Sequence, residues 1–578
     1  MRAARGALPW LALALATALA YLWGLDGLNI PKFGDEMVYT HIARRTADSG
    51  HWLPLQSEYA HMRNTKPPLL FWQAMVAGQW GADWRMGALR MPSVIYTWAT
   101  ALMAALLAAR LCRLRSGPAA SGGAPAMQPL AAGAIAAAVY LLFFSTIRYS
   151  RTYLTSGPET FWMFGVMAAL AWAPVRMLGS KLWFPLAAGA AIGVACLYKS
   201  FVLVVPMGFA LLLCHLWVRE RGTAPVFDVR ALPAMALKLA ISTALALAVF
   251  SLWFVLDPSP ADIWREFVVG ENVGRMKSGP GYLSVAFGGA SGVWVILVAC
   301  FSNAGLLLPV VAGTAVAAWQ AARRGERAGH SETVLWLWIA ALTLFFLVPS
   351  QRSARYLIPA MPAVAVLAAL YWRQIHRAWF LATAVLSLGT LSVMALIAWG
   401  GIQALGDAAL YPPAFWAMLA LMAASAIGAF ALPRFTPALS LTAALGVLLA
   451  MTGAYAPFNG PAGNFSPQVV QALRGQTVWV AYQFTGQTER YSFLLPGVKI
   501  APVAAPLTRT ADDLDAMFAN GRYVLMQGDY DRAPCQRCRV VDSRWEPGNR
   551  PGSRGIDAIL HPEKYWFSRE YIVERPLP

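Results

Sequence analysis

The chain has 578 residues, of which 58% are hydrophobic and 13% are charged, with a mean hydropathy of +0.50 and a net charge of +18. A soluble protein carries roughly 25% charged residues, so the composition excludes an ordinary soluble globular protein. Residues 460–578 hold 14 basic and 12 acidic residues, so the positive excess lies in the apolar part. Positive charge in a membrane-embedded part indicates that the partners are anionic lipid headgroups or phosphate-bearing substrates and not nucleic acid.

Apolar segments of bilayer-spanning length recur through residues 1–456. A helix needs about 20 mostly apolar residues to cross a hydrocarbon core of about 30 Å. The sequence therefore predicts an all-α polytopic membrane domain with an uncleaved first segment. The thirteen predicted spans lie near residues 8–28, 89–111, 129–147, 158–177, 182–197, 200–218, 232–256, 284–318, 333–349, 354–372, 378–400, 411–431 and 435–456.

The basic residues between these spans predict an orientation. With the N-terminus in the cytoplasm and alternating sides, short basic loops such as "RLCRLRSG" and "RRGERAGH" face the cytoplasm, as the positive-inside rule requires. The opposite, outer side then receives the loop 31–88, the loop 257–283 and the tail after residue 456. In a bacterium this is a multi-pass inner-membrane protein with its C-terminal tail in the periplasm.

Two short helices are predicted in the outer loop 31–88. The first, in "DEMVYTHIARRTADSG", ends at the Ser-Gly pair. The second begins after "KPP" and spaces Leu69, Trp72, Val76 and Trp80 at intervals of three or four residues. That spacing is typical of an amphipathic helix lying in the membrane interface.

The tail, residues 457–578, has the character of a soluble domain. "TVWVAYQF" and "RYVLMQG" are strand-like, and "TADDLDAMFANG" is a capped helix, so we expect a small α/β or α+β periplasmic domain. In an oxidising compartment the pair Cys535 and Cys538 is expected to form a local disulfide, with free thiols or a metal as the alternatives.

Asp35 and Glu36 stand directly after the first apolar segment. One interpretation is local, with Asp35 as the N-cap of the helix that begins at Glu36. The functional interpretation places a carboxylate in a cavity that faces a lipid-borne substrate, because Tyr39, Arg63 and Lys66 share the loop. One acid beside several cations suits phosphate-ester chemistry, in which cations hold the phosphate and the acid orients or deprotonates the nucleophile.

Other predicted outer segments also carry cations, against the orientation rule, and an anionic substrate would explain them. Arg148, Arg151 and the nearby Tyr153 could instead be an interfacial anchor. The remaining outer cations are Lys199, Arg265, Arg275, Lys277, Arg352 and Arg355.

Three histidines share the outer loop with Glu36 and Glu58, so a metal site is conceivable there. They are His41, His51 and His61. Their spacing fits no zinc motif, and ordinary polar-loop histidines are the favoured interpretation.

The chain resembles a known class of enzymes in several motifs taken together: "GDE" after the first helix, "TKPP" some thirty residues later, "RYLIPAMP" after a late helix, and the soluble tail. This layout is similar to the GT-C class of integral membrane glycosyltransferases that use polyprenyl-phosphate sugars. Within the class it most resembles the bacterial 4-amino-4-deoxy-L-arabinose transferases that modify lipid A, which are related to protein O-mannosyltransferases.

The resemblance implies roles for particular residues. Asp35 matches the acidic residue of the first outer loop, and Lys66 and Arg275 match cations that bind the donor phosphate. Tyr356 stands where the family has a tyrosine near the lipid phosphate, and Arg355 beside it is a further candidate. The family's second acid is replaced by Gly157, and Glu159 is a candidate substitute.

The implied reaction transfers the sugar from undecaprenyl phosphate to a lipid A phosphate, with inversion expected for a single displacement. When the sugar leaves, the lipid phosphate gains a second negative charge, which cations stabilise more in the transition state than in the ground state. No cofactor is predicted, and a divalent metal is not indicated because the leaving group carries one phosphate. The alternatives are a protein O-mannosyltransferase, another lipid-linked sugar transferase, a lipid or polyprenyl-phosphate transporter, or a scaffold.

Overall fold

A computed structural model describes residues 2–30, 35–58, 62–115, 127–218, 232–273, 282–288, 291–326, 328–481, 487–503, 514–528, 535, 538–548 and 556–575. The helices that begin before residue 260 are α1 (Arg2–Ala20), α2 (Glu36–Asp48), α3 (Leu69–Ala77), α4 (Met86–Arg115), α5 (Pro129–Leu142), α6 (Phe144–Ser150), α7 (Ser156–Trp172), α8 (Pro174–Gly179), α9 (Trp183–Tyr198), α10 (Val204–Trp217) and α11 (Leu232–Leu256).

Helices continue to dominate the second half of the chain. Those up to residue 456 are α12 (Pro260–Ile263), α13 (Tyr282–Phe287), α14 (Val293–Leu297), α15 (Ala299–Ala304), α16 (Leu308–Arg323), α17 (His330–Phe346), α18 (Met361–Tyr371), α19 (Arg377–Leu405), α20 (Pro413–Ala431) and α21 (Thr436–Tyr455). The tail contains α22 (Pro467–Ala472), α23 (Gln487–Leu494), α24 (Leu514–Phe518), α25 (Asp557–Leu560) and α26 (Pro562–Tyr565). A π-helix, Trp264–Val273, follows α12 directly.

Seven helices among the described residues are long and apolar enough to cross a membrane. They are Met86–Arg115, Leu232–Leu256, Ala299–Arg323, Ala354–Gln374, Arg377–Leu405, Pro413–Ala431 and Pro433–Asn459. The pair α5 and α6, bent by 62°, makes an eighth if it counts as one span, and four further apolar helices are shorter. An integral membrane domain is therefore confirmed, whereas the number thirteen stays a prediction.

One predicted span has different bounds in the structure. The sequence predicts a single apolar segment over 284–318, but the spanning helix begins at Ala299. Before it the chain forms two short helices, α13 and α14. The short helices contain apolar runs such as "VWVIL" of α14, so hydropathy alone does not show where the spanning helix begins.

Small residues bring neighbouring membrane helices into close contact. A Cβ at Gly189 of α9 would lie 2.7 Å from the carbonyl oxygen of Ser242 on α11, and a Cβ at Gly193 would lie 2.6 Å from a carbon of Val249. In a bilayer, helices associate largely through close packing of this kind. Burying an apolar helix face against another helix gives no hydrophobic gain there, because the lipid chains are equally apolar.

The two predicted loop helices are present, the second in shorter form. Helix α2 covers the predicted segment and its C-cap is Ser49. Helix α3 ends at Ala77, and Gln79 and Trp80 adopt φ angles of 48° and 54°, so Trp80 is not on the helix as expected. Trp80 nevertheless stays in the apolar surface, because its ring packs edge-on against Trp52 at 4.7 Å.

The tail folds around a mixed five-stranded sheet, β1 (Thr477–Ala481), β2 (Lys499–Val503), β3 (Tyr523–Gly528), β4 (Arg539–Pro547) and β5 (Phe567–Glu574), in the order β2-β1-β3-β5-β4. Strands β2, β1 and β3 run parallel, while β5 is antiparallel to both β3 and β4. The predicted C-terminal sheet domain is therefore confirmed as a mixed sheet with helices. Cys535 and Cys538 form the expected disulfide.

Candidate functional site

Asp35 directly precedes α2, and its side chain is 57% exposed. It occupies the N-cap position of α2, but its carboxylate makes no capping hydrogen bond within the described part of the helix. Its nearest described cation is Arg355, 4.0 Å away. The capping interpretation is therefore not supported, and Asp35 is an accessible acid next to a guanidinium.

Glu36 is fully buried and has a different environment from its neighbour. Its two carboxylate oxygens accept hydrogen bonds of 2.8 Å each from Arg90 on α4, and one also accepts the backbone N–H of Tyr153 at 2.7 Å. The same guanidinium donates to the carbonyl oxygens of Leu25 and Gly27. Arg90 thus forms a bidentate pair with Glu36 and also binds backbone oxygens of the preceding segment. Together these contacts fix the start of α2 against α4.

Tyr39 and Arg63 are both held by protein groups. Tyr39 is buried on α2 and its ring packs edge-on against Phe71 at 6.1 Å. Arg63 forms ion pairs with Asp262 of α12 and, at 3.5 Å, with Glu266 of the π-helix. The Arg63 charge is thus matched by acids of the loop that follows α11.

Lys66 faces the same π-helix. Its ammonium group donates to the carbonyl oxygen of Thr65 and lies 3.8 Å from Glu271. At 16% exposure its side chain borders solvent. The described contacts thus place the Lys66 ammonium beside the π-helix and next to solvent.

Glu159 forms a buried ion pair with Lys199 at the end of α9, with N···O distances of 2.7 and 2.9 Å. The ammonium of Lys199 also lies 5.9 Å from the ring centroid of Tyr356. The Tyr356 ring is stacked on Phe346 at 4.7 Å, which fixes its plane. Glu159 is therefore close to the predicted lipid-phosphate tyrosine, and Lys199 joins the two.

Residue 157, where the family has an acid, lies at a close contact between two helices. A Cβ on Gly157 would lie 3.1 Å from the carbonyl oxygen of Ser93, because α7 crosses α4 tightly at this point. A side chain at residue 157 would require the Ser93 backbone to move by a few tenths of an ångström. Glu159 is the acidic residue in the first turn of the same helix, α7.

These contacts join into one continuous set, here called the charged cluster. Asp35 meets Arg355, whose chain neighbour Tyr356 faces Lys199, and Lys199 in turn pairs with Glu159. Ser200, the residue after Lys199, donates to Asn272 of the π-helix, next to the Glu271 that approaches Lys66. The charged cluster consists of Asp35, Lys66, Glu159, Lys199, Arg355 and Tyr356.

Sequence reasoning did not single out Lys199 as a site residue, although a signal was present. The cation stands at the predicted outer end of a membrane helix, where the positive-inside rule disfavours it. Arg148, for which the sequence left both an interfacial anchor and a contact to an anionic substrate open, shares an aromatic ring with Arg355: the guanidinium of each packs on Tyr149 at 4.8 Å. The Nε of Arg148 is buried without a hydrogen-bond partner among the described residues.

Other candidates are placed elsewhere. Arg151 is buried and donates to backbone oxygens of Tyr21 and Trp23, so it joins helices instead of lining the cluster. His41 contacts Glu489 of α23 and accepts the backbone N–H of Glu58. The predicted donor ligand Arg275 and the candidate metal ligand His61 lie outside the described residues.

Solved structures of known proteins share this fold. ArnT from Cupriavidus metallidurans bound to undecaprenyl phosphate superposes with a TM-score of 0.59 at 18% identity, over 97% of this chain and 98% of that one. The same protein in its apo state gives a TM-score of 0.56 at 17% identity, over 98% of both chains. The chain has the fold of ArnT. The predicted resemblance to GT-C class transferases is thereby confirmed at the level of the fold.

A curated protein shows similarity in sequence. The undecaprenyl phosphate-alpha-4-amino-4-deoxy-L-arabinose arabinosyl transferase 1 of Sodalis glossinidius is 26% identical over 376 residues. The matched region covers 64% of this chain and 60% of that protein's length. No protein-family model matches the chain.

Proposed function

We propose that the protein is a membrane glycosyltransferase that moves 4-amino-4-deoxy-L-arabinose from undecaprenyl phosphate to a phosphate of lipid A. The observation that carries the proposal is the fold that nearly the whole chain shares with the ArnT structure bound to undecaprenyl phosphate. The charged cluster supplies the acid and cations that such a transfer needs.

The donor phosphate binds the cations of the cluster in this proposal. Lys66 lies beside Glu271 of the π-helix, and Ser200, the neighbour of Lys199, donates a hydrogen bond to Asn272 of the same π-helix, which supports a shared anion site for the two cations. Arg275 completes the set by its resemblance to a family cation. As the sugar leaves, the phosphate gains charge, and fixed cations stabilise that charge without reorganisation.

Asp35 and Arg355 act on the acceptor in the proposal. The acceptor phosphate is largely ionised near neutral pH, since its second pKa is about 6, so it needs positioning more than deprotonation. Arg355 attracts the phosphate while Asp35 orients it through that guanidinium or through a bridging proton. A single displacement of this kind inverts the configuration at the sugar carbon.

The proposal includes a placement in the cell. The chain lies in the inner membrane of a bacterium, with the N-terminus in the cytoplasm and both the charged cluster and residues 457–578 on the periplasmic side. Short basic loops on the opposite side support this orientation. Residues 1–456 form the membrane unit, and its loop 31–88 carries helices α2 and α3.

Mass spectrometry of lipid A from bacterial cells with and without the protein tests the function. We expect an aminoarabinose-sized gain that Asp35→Asn abolishes, whereas Asp407→Asn, an exposed carboxylate between α19 and α20, retains it. An unchanged lipid A spectrum with the wild-type protein would overturn the proposed acceptor. Full transfer by Asp35→Asn would remove that residue from the site.

Lys66→Ala separates donor binding from the chemical step. We expect a higher KM for undecaprenyl-phosphate aminoarabinose in a reconstituted assay, because the variant loses a cation at the donor phosphate. An unchanged donor KM would remove Lys66 from the donor site.

A further inference from the structure

Arg148, near the end of α6, carries a charge that no described residue of the protein neutralises. Its guanidinium makes neither an ion pair nor a hydrogen bond among the described residues, and it packs on the rings of Phe144 and Tyr149 at 5.5 and 4.8 Å. Other arginines of the predicted outer loops pair with a carboxylate or donate to a backbone oxygen, among them Arg44, Arg63, Arg151, Arg265 and Arg352.

The terminal nitrogens of Arg148 are accessible to a ligand. The side chain is half-buried, and of its three guanidinium nitrogens only Nε is enclosed without a partner. The two terminal NH2 groups therefore border open space. A planar guanidinium with both of these groups free can bind two oxygens of a phosphate at once.

The ring of Tyr149 holds a second guanidinium, that of Arg355, also at 4.8 Å. The guanidinium carbons of Arg148 and Arg355, here called the arginine pair, are therefore separated by no more than twice 4.8 Å. The backbone of Arg355 is fixed, because its N–H donates to the side chain of Ser353. Among described carboxylates, only that of Asp35 approaches the pair, at 4.0 Å from Arg355.

This arrangement has an excess of positive charge at an accessible place. Two cations on one aromatic ring repel each other, and one carboxylate at the limit of an ion-pair distance offsets only part of that charge. An anion that contacts both guanidiniums removes the repulsion and gains charge-assisted hydrogen bonds from each. The geometry thus favours a phosphate next to Asp35.

The proposed reaction has two phosphates, and their cations differ. Lys66 and Lys199 are assigned to the donor, whereas Arg355 is assigned to the acceptor, whose phosphate carries roughly 1.5 to 2 negative charges near neutral pH. Resting on the proposed function, we propose that Arg148 binds the acceptor phosphate together with Arg355. In this site Tyr149 is a positioning residue that holds both guanidiniums.

Equilibrium binding of lipid A to the full-length protein in detergent tests the arginine pair, with dephosphorylated lipid A as the matched ligand. Wild type should prefer the phosphorylated lipid, and Arg148→Gln should reduce that preference roughly tenfold to a hundredfold, the factor of a lost hydrogen bond to a charged group. Affinity for the dephosphorylated lipid should not change, whereas a structural defect would weaken the binding of both lipids.

A control arginine lies near the predicted cytoplasmic end of α4. Arg110 packs on the ring of Trp172 at 4.6 Å, so Arg110→Gln removes a similarly stacked guanidinium far along the chain from the cluster and should behave as wild type. Tyr149→Phe keeps the shared ring and should keep the preference for phosphorylated lipid A, whereas Tyr149→Leu should reduce it.

Two other results with Arg148→Gln would overturn the proposal. If the variant binds undecaprenyl phosphate more weakly and keeps the wild-type preference for phosphorylated lipid A, the arginine serves the donor. If neither affinity changes, Arg148 is an anchor in the membrane interface.

Chemical modification of arginine gives a readout that needs neither a variant nor transfer activity. Lipid A, but not its dephosphorylated form, should protect Arg148 of the wild-type protein from phenylglyoxal, as measured by mass spectrometry of the peptide. Protection without sugar transfer would preserve the phosphate site while the proposed reaction fails. Sugar transfer by a wild-type protein in which lipid A gives no such protection would overturn the role of Arg148 alone.

Discussion

Asp35 and Glu36 are adjacent in the sequence and have opposite environments. The first is accessible and meets Arg355, while the second is buried in a bidentate pair with Arg90. A carboxylate without a capping bond, exposed beside a cation, is free to serve a ligand. The buried carboxylate of Glu36, with both oxygens hydrogen-bonded, holds the backbone in place. The dipeptide "DE" therefore contains one candidate functional residue, Asp35, and one structural residue, Glu36.

Substitution of the two acids should separate these roles. Glu36→Gln leaves the Arg90 charge uncompensated in the bundle, which should cost about 3–5 kcal/mol of stability. Asp35→Asn should leave stability nearly unchanged, because its partner lies 4.0 Å away at an exposed position. Thermal unfolding of the two variants in the same detergent checks this, and equal midpoints would contradict it.

Lys199 has two potential roles, neutralising Glu159 and binding a phosphate, and a double variant distinguishes them. Lys199→Met alone should destabilise the protein because it leaves a buried carboxylate unpaired. Lys199→Met with Glu159→Gln should recover most of the thermal stability but little of the transfer activity. Recovery of both stability and activity would mean that Lys199 serves only to neutralise its partner.

At the scale of elements, α2 connects the charged cluster to the C-terminal domain. Its first turn carries Glu36, and further along it His41 and Arg44 contact Glu489 of α23, with an Arg44–Glu489 distance of 2.7 Å. Just before the cluster, Asn29 accepts a hydrogen bond from Arg490, the residue after Glu489. The tail domain is thus docked on the two segments that flank Asp35.

Removal of the Glu489 charge should weaken the contact between α23 and α2. In Glu489→Gln we expect hydrogen exchange to become about tenfold faster in residues 36–48 and 487–494, because the charge that holds Arg44 and His41 is lost. Strands β4 and β5 should keep their protection. Glu563→Gln, in the same domain but paired only with the exposed His561 among described residues, is the control. Unchanged exchange in α2 would show that the contact carries no docking energy.

At the scale of the whole molecule, a buried charge network joins the tail domain's sheet to its helices. Arg544 pairs with both Glu546 and Glu570, Arg490 pairs with Glu546, and Tyr491 donates to Glu570 at 2.7 Å. Burial raises the pKa of Glu570 to about 7, against the opposing effect of Arg544. The guanidiniums of Arg490 and Arg544 overcome burial at Glu546 and hold its pKa well below the ordinary value.

The raised pKa predicts how the stability of this domain depends on pH. Because the folded domain binds the Glu570 proton more tightly than the unfolded chain does, the stabilisation is complete below pH 4.5 and is lost as pH rises through about 7. Hydrogen exchange of residues 567–574 should therefore accelerate from pH 5 to pH 8 after correction for intrinsic rates. Glu570→Gln should flatten this profile, and a profile unchanged by the substitution would assign the dependence to another group.

The sequence by itself determined the composition-driven features: apolar helices of spanning length, the helix α2 with its Ser-Gly end, the strands of the tail, and an acid followed by cations after the first apolar segment. These are local, since they depend on hydrophobic length, on periodicity and on capping residues. Only the tertiary structure decided which of Asp35 and Glu36 is buried, that Arg63 is neutralised by α12 and the π-helix, and that Lys199 lies between Glu159 and Tyr356. Those outcomes depend on contacts between segments far apart in the chain, and no local pattern specifies which charges meet when helices pack.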